Sequence, residues 1–163
     1  QRVAIAASMI NSPKLLLGDE PTSALDVTSQ EEVVNQLKYL KNNFKVSAVI
    51  ISHNIGVISM ISDDMAVMYG GKILEYGKTE NVIYNPSHPY TKALIEAMPD
   101  MDGRISGGLT GYPPVFTKEM KGCPFAGRCT EAEARCFEDE PSDVYIAPEH
   151  RAKCFHLQSG GTC

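Results

Sequence analysis

The chain has no apolar run long enough to cross a bilayer. A spanning helix needs roughly 20 consecutive apolar residues, whereas the pure apolar stretches here, such as residues 15–17 and 48–51, have the length of a strand. Any membrane role must therefore work through a partner. It also lacks a basic cluster. Fifteen Lys plus Arg stand against twenty Asp plus Glu, a net charge of −5, so there is no electrostatic footprint for nucleic acid. The first residues, Gln1-Arg2-Val3-Ala4-Ile5-Ala6, lack an initiator Met, a charged n-region and an apolar h-region. They do not form a signal peptide, and because the chain starts inside a helical pattern, a truncated protein is expected. Five cysteines without a secretion signal point to a reducing compartment, where metal or cluster binding outweighs disulfides.

What is present is ordinary for a globular chain: 163 residues, 43% hydrophobic and 21% charged, enough for one domain or one and a fraction. Val3, Ile5, Ala6, Met9 and Ile10 give residues 2–10 a helical period, which Asn11-Ser12-Pro13 stops. Residues 14–18 read as a buried strand ending at Asp19-Glu20-Pro21, since Pro21 cannot continue a central strand. A second helix is expected over about 28–42, with a capping pattern Thr28-x-x-Glu31 and an apolar face of Val33, Val34, Leu37 and Leu40. Residues 47–52 form a second buried strand that ends at His53. Helix-period residues 55–61 follow. Two alternating runs, 65–69 and 72–76, are joined by Gly70-Gly71 and read as a β-hairpin with a primed turn. The order strand, helix, strand, helix indicates an α/β layer with parallel core strands.

After Gly77 the texture changes. Residues 79–84 and 91–98 read as short helices on either side of Asn85-Pro86-Ser87-His88-Pro89, with Ser87 or Thr91 as a cap. Beyond Pro99 the chain is rich in Gly, Pro and Cys and too poor in aliphatic residues for a core of its own, which suits a metal or another staple. The division is placed so that 1–84 form one domain and 85–163 an irregular Cys-rich extension.

The first constellation is Leu15-Leu16-Leu17-Gly18-Asp19-Glu20-Pro21-Thr22-Ser23-Ala24-Leu25-Asp26. In open α/β sheets, ligands sit at the carboxyl ends of strands. Adjacent acids there suit phosphoryl chemistry: one can hold Mg²⁺ through water, and the next can orient or deprotonate an attacking water. His53, at the end of a neighbouring strand, belongs to the same edge and could bond a transferred phosphate. Taken alone, Asp-Glu-Pro after a strand is more often a solvated turn, and a lone His there is more often structural. The twelve-residue run with Ser52-His53 reverses that weighting.

The run resembles the Walker B and D-loop of ABC ATPases. Ile51-Ser52-His53-Asn54 resembles their H-loop, and Gln1-Arg2-Val3-Ala4-Ile5-Ala6 the helix behind their signature motif. The resemblance implies the C-terminal part of a P-loop NTPase-like domain, in which Asp19 supports Mg²⁺, Glu20 is the general base and His53 contacts the γ-phosphate of ATP. Ser23, Ala24, Leu25 and Asp26 would form a D-loop facing a second ATPase subunit. Asn54 stands where many members carry Asp. No GxxxxGK[ST] loop, Q-loop or signature precedes these residues, so the 163 residues alone are expected to turn over no ATP. Ser106-Gly107-Gly108-Leu109 is not a signature, because it follows the Walker B-like run and no helix comes after it.

Asn85-Pro86-Ser87-His88-Pro89-Tyr90-Thr91-Lys92-Ala93-Leu94 is similar to a segment of the oligopeptide, dipeptide and nickel importers within that family. The second constellation is Cys123-x5-Cys129-x6-Cys136-x17-Cys154. Four thiolates on a core-poor segment can close around zinc or an iron–sulfur cluster, and the spacing is neither that of a zinc ribbon nor that of a bacterial ferredoxin. The tail resembles the C-terminal extension of dipeptide-type importers, where some members hold a [4Fe–4S] cluster on such a quartet; Gly127 stands where Pro is common. A structural cluster is weighted above zinc, and free or oxidised thiols stay open. His150 and His156 are substitute ligands of lower weight, and Cys163 is expected to be free.

The resemblance thus implies an ATP-hydrolysing subunit of an ABC importer. It would sit peripherally at the cytoplasmic face of the membrane, paired with a like subunit and two permeases, and be served by an external binding protein. Its cargo would be peptides or a related solute such as nickel. Two rivals are a non-transport ABC ATPase and a cluster- or zinc-binding interaction module with an inactive remnant. His88-Pro89-Tyr90 and the cysteines weigh against the first, and Asp19, Glu20 and His53 against the second.

Overall fold

Val33, Val34 and Leu37 recur on one face of an 18-residue helix and are buried there. In the computed structural model, this helix organises the first of two compact units, residues 1–62 and 63–163. The structure describes residues 2–99, 107–109, 111–112, 114 and 121–158. Gln1, Ser106 and Cys163, which the sequence singled out, lie outside them.

Unit one runs α1 (Arg2–Met9), β1 (Leu15–Asp19), α2 (Val27–Phe44), β2 (Ser47–Ile51) and α3 (Ile55–Ile61). Strands β1 and β2 pair in parallel, from Leu15 opposite Ser47 to Asp19 opposite Ile51. Helix α2 starts earlier than expected. Its cap is Asp26, which is extended and accepts a hydrogen bond from the Ser29 amide, so the Thr28-x-x-Glu31 pattern lies inside the helix. A carboxylate at this place satisfies one of the amides that no intrahelical carbonyl reaches. The strands also depart from expectation. They are not buried on both faces: Leu17 and Ile51 are 71% and 58% exposed, and Leu15 and Val49 about half. The two strands form a sheet of their own, and among the described residues one side of it meets no covering layer.

Unit two contains β3 (Asp64–Tyr69), β4 (Lys72–Lys78), α4 (Thr79–Tyr84), α5 (Pro89–Glu96), a 3₁₀ turn (Ala126–Arg128), α6 (Arg135–Glu138), β5 (Val144–Ala147), β6 (His150–Ala152) and α7 (Phe155–Gln158). The hairpin β3–β4 is present, with Gly70 and Gly71 both at positive φ, the backbone a two-residue primed turn requires. A register shift follows Val67. It inserts an extra residue into β4, so the consecutive residues Leu74 and Glu75 are both buried, at 1% exposure each. Such a bulge breaks the two-residue alternation. Leu74 joins Tyr69 and Phe125 in the core, with Tyr90, Leu109, Cys123 and Cys129 against them. Tyr69, Tyr90 and Phe125 lie with ring centroids 4.7–5.4 Å apart; Tyr69 meets both partners edge-on, the geometry that aromatic quadrupoles favour, and Tyr90 and Phe125 are tilted.

The Cys-rich extension is less irregular than its composition suggests. Strand β6 pairs with β4, completing an antiparallel sheet of order β3-β4-β6-β5. The compact unit therefore begins at residue 63, ahead of the 84/85 division read from texture, because backbone pairing ties the hairpin to the tail. Composition cannot show which strand a distant segment will join.

Candidate functional site

Parallel pairing brings the carboxyl ends of β1 and β2 to one edge. Asp19 closes β1 opposite Ile51, and the Glu20 amide donates to the Ile51 carbonyl at 2.9 Å. Glu20 then turns into the left-handed region at φ 48°, a conformation that costs a non-glycine residue about 1–3 kcal/mol and clusters at functional sites. That turn swings its carboxylate toward the end of β2. Oε1 accepts from the His53 amide at 3.0 Å and lies 2.9 Å from His53 Nδ1. A carboxylate only accepts, so Nδ1 carries the proton and Nε2 points away on a ring whose side chain is 80% exposed. The hydrogen bond from His53 holds the Glu20 carboxyl below its ordinary range. Oε2 is buried and makes no hydrogen bond among the described residues. The edge thus offers one anchored carboxylate oxygen, one buried and unbonded, an exposed second acid and an imidazole.

The residues after Glu20 fold back on it. Ser23 donates to the Glu20 carbonyl through its amide at 3.1 Å and its hydroxyl at 2.9 Å, and Ala24 also has a positive φ, 60°. Asp26, the α2 cap, has its carboxyl pulled below the usual range by the Ser29 hydrogen bonds. Its carboxylate is therefore engaged within its own chain. Asn54, after His53, caps α3 by accepting from the Val57 amide. The side chain at that position is thus used locally.

The four candidate thiols come from four separate pieces of unit two and line a single cavity. The Cys123 amide donates to the Cys136 carbonyl at 2.8 Å. Gly122, at φ 76°, lies so close beneath that carbonyl that a Cβ would collide with it. Burial raises the Cys123 thiol and pushes Cys129 up to about 11, and charge on neighbouring thiols adds to both. Amides counter this: those of Phe125 and Ala126 reach Cys123, that of Glu131 reaches Cys129, and that of Glu133 lies 3.5 Å from Cys136 Sγ. An all-sulfur donor set with amide donors aimed at three of its sulfurs suits a soft metal group. Among the described residues, no three His, Cys, Asp or Glu side chains converge closely enough to hold a single ion.

His150 and His156, read as substitute ligands, are engaged elsewhere. His150 is 2% exposed, with Nε2 2.8 Å from Glu75. His156 Nε2 lies 2.6 Å from the Glu131 carbonyl and Nδ1 3.4 Å from Glu133. Glu75 itself escaped the sequence reading. Its carboxylate is fully buried, accepting from the Ser87 and His88 amides at 2.9 Å each and from His150. Gly77 makes room, since a Cβ there would press into the His150 ring at 2.9 Å. The α5 cap is His88, not Ser87 or Thr91: its Nδ1 accepts from the Tyr90 amide at 3.0 Å, with Pro89 in the first turn. His88 is 2% exposed and also lines the thiol cavity. Only the short spacing His88-Pro89-Tyr90 hinted at any of this.

Comparison with known proteins places this geometry in context. Residues 74–136 match a family described as "Oligopeptide/dipeptide transporter, C-terminal region". The chain is 42% identical over 157 residues to the oligopeptide transport ATP-binding protein OppD of Salmonella typhimurium, covering 95% of this chain and 47% of that protein. It is 44% identical over 138 residues to OppD of Haemophilus influenzae, covering 83% and 43%. With the dipeptide transport ATP-binding protein DppD of Bacillus subtilis it shares 37% over 157 residues, covering 95% and 47%. The chain spans about half the length of the curated relatives it matches.

Proposed function

From the premise that the chain belongs to the family of oligopeptide/dipeptide transporter ATP-binding proteins, we propose that it is part of an ATPase that energises solute uptake, with residues 15–26 and 51–54 as its Walker B, D-loop and H-loop. The observation that carries this is the Glu20–His53 contact at the carboxyl edge of a parallel strand pair. Glu20 acts as general base through its carboxylate, orienting and deprotonating the attacking water. His53 keeps that carboxylate in place with its amide and Nδ1 and presents Nε2 to the transferred phosphate. Asp19 would hold Mg²⁺ through water, which supplies charge neutralisation on the phosphates. Ser23 and Asp26 stiffen the D-loop from within, leaving its outer surface to a second ATPase subunit.

Residues 1–84 are assigned to the ATPase domain and 85–163 to the importer-type extension. No described helix is long and apolar enough to cross a membrane. From the family likeness we place the subunit peripherally at the cytoplasmic face, on a pair of permeases supplied by an external binding protein. The cargo is peptides, or a related solute such as nickel, and it is selected by those partners. The test is ATP turnover by the assembled transporter. Glu20→Gln should lower phosphate release about 10²- to 10⁴-fold, the usual range for loss of a general base, with nucleotide still bound. Turnover within a few-fold of wild type would sink the assignment.

For the tail, the reading is a structural [4Fe–4S] cluster on Cys123, Cys129, Cys136 and Cys154. A tetrahedral zinc would need its sulfurs about 3.8 Å apart, from Zn–S bonds of about 2.3 Å. A cubane instead takes one cysteine at each of four irons, and four thiols line the one cavity here. When bound, it supplies four covalent cross-links to a segment with little core of its own. Anaerobic purification with iron and acid-labile sulfide assays checks this; stoichiometric zinc in a colourless protein is the contrary result.

A further inference from the structure

Three side chains on the wall of the thiol cavity bear nitrogen: His88, Lys153 and His156. Lys153 is turned to Glu140 at 3.0 Å. His156 has one nitrogen on the Glu131 carbonyl and the other beside Glu133. His88 differs. Its Nδ1 accepts the Tyr90 amide, so that nitrogen carries no proton, the ring is neutral, and the proton sits on Nε2. Nε2 makes no hydrogen bond among the described residues. The backbone on which the ring stands is fixed from the other side by Glu75, which accepts the Ser87 and His88 amides, and the ring lies 6.0 Å from that of Phe125, itself on the cavity wall.

We propose that His88 donates a hydrogen bond from Nε2 into the thiol cavity, to a sulfur of the group held there, and thereby sets that group's reduction potential. This rests on the iron–sulfur reading above. A neutral thiol is a weak acceptor, whereas a thiolate or sulfide is a strong one. The donor therefore favours the more negative, reduced state, and hydrogen bonds to sulfur are among the factors that tune such potentials. His88 is in this sense a positioning and tuning residue; it ligates nothing.

Two substitutions divide the two halves of the ring. His88→Asn keeps an acceptor near Nδ1 and so the α5 cap, but cannot reach into the cavity. His88→Gln reaches toward the Nε2 position with an amide donor and gives up the cap. In the anaerobically purified protein, titrated electrochemically, the Asn variant should shift the midpoint to more negative potential. At a fixed potential this means about a threefold to tenfold lower reduced-to-oxidised ratio, tenfold being about 59 mV for one electron. The Gln variant should stay within threefold of wild type. Pulse EPR on the reduced wild type and on His156→Gln, with ¹⁵N-labelled histidine, should show the same coupling to a histidine nitrogen and to an exchangeable proton, and it decides the matter even if neither His88 variant folds. Iron and sulfide at full content with equal midpoints in all three proteins, or with no such coupling, overturns the role of His88 alone. Protein without iron and sulfide overturns the cluster and this inference together.

Discussion

The acid–histidine edge of unit one and the thiol cavity of unit two solve opposite problems. At the edge, the reactive groups are exposed: His53 stands in solvent, Glu20 sits on a left-handed backbone, and the strands beneath show one apolar face. Behind the His88 wall of the cavity, Glu75 is fully buried and bonded to three donors, and Tyr69 packs edge-on against both Tyr90 and Phe125. A parallel sheet is normally covered on both sides. The difference is one of covering: the edge leaves a carboxylate oxygen and an apolar strand face unmatched, whereas Glu75 and the three donors around it satisfy one another.

The widest gap between the two should appear in amide exchange. In this chain, amides of β1 and β2 should exchange at least about 100-fold faster than those at the β3–β4 pairing, since local opening follows burial and contact density. Equal protection would erase the contrast. Next in size, Glu75→Ala would leave the Ser87, His88 and His150 donors buried without an acceptor. It should destabilise unit two by about 3–5 kcal/mol in denaturant unfolding, while leaving the Glu20–His53 contact intact by NMR. A loss below about 1 kcal/mol would mean that water replaces the carboxylate.

Acid sharpens the comparison from another side. Burial lowers His88 from 6.5 to about 4, so the unfolded chain takes up the proton first. Stability from this group is whole above about pH 6.5 and is lost as pH falls toward 4, by on the order of 3 kcal/mol. Unfolding midpoints of the metal-free protein at pH 7, 5.5 and 4.5 should fall in that order, and a flat profile would contradict it. The smallest effect belongs to the exposed unit: Asp26→Ala removes the α2 cap and should cost about 1 kcal/mol, read as a small drop in helicity and thermal midpoint.

The helices, the hairpin and the strand ends were legible because each rests on local signals: the period of Val33, Val34 and Leu37, the Gly70-Gly71 turn, and Pro21 after Asp19-Glu20. Capping was misplaced twice for one reason. Asp26 and His88 cap through side-chain acceptors whose use depends on the entering backbone, and Thr28 or Thr91 fits the same pattern on paper. Glu75 was hidden because a one-residue bulge turns it inward, and alternation read from sequence assigns it the wrong face.

By itself, the sequence determined which residues could carry chemistry: two acids after one apolar strand, a histidine after the next, and four cysteines on a core-poor tail. It also determined the family those residues resemble. Only the tertiary structure decided which of them meet. Parallel pairing puts His53 on Glu20 across 33 positions, and the β4–β6 pairing draws Cys154 toward the 3₁₀ turn and brings His150 to Glu75. Long-range pairing depends on the whole set of competing partners and on the buried surface it creates, and no local window of residues contains that information.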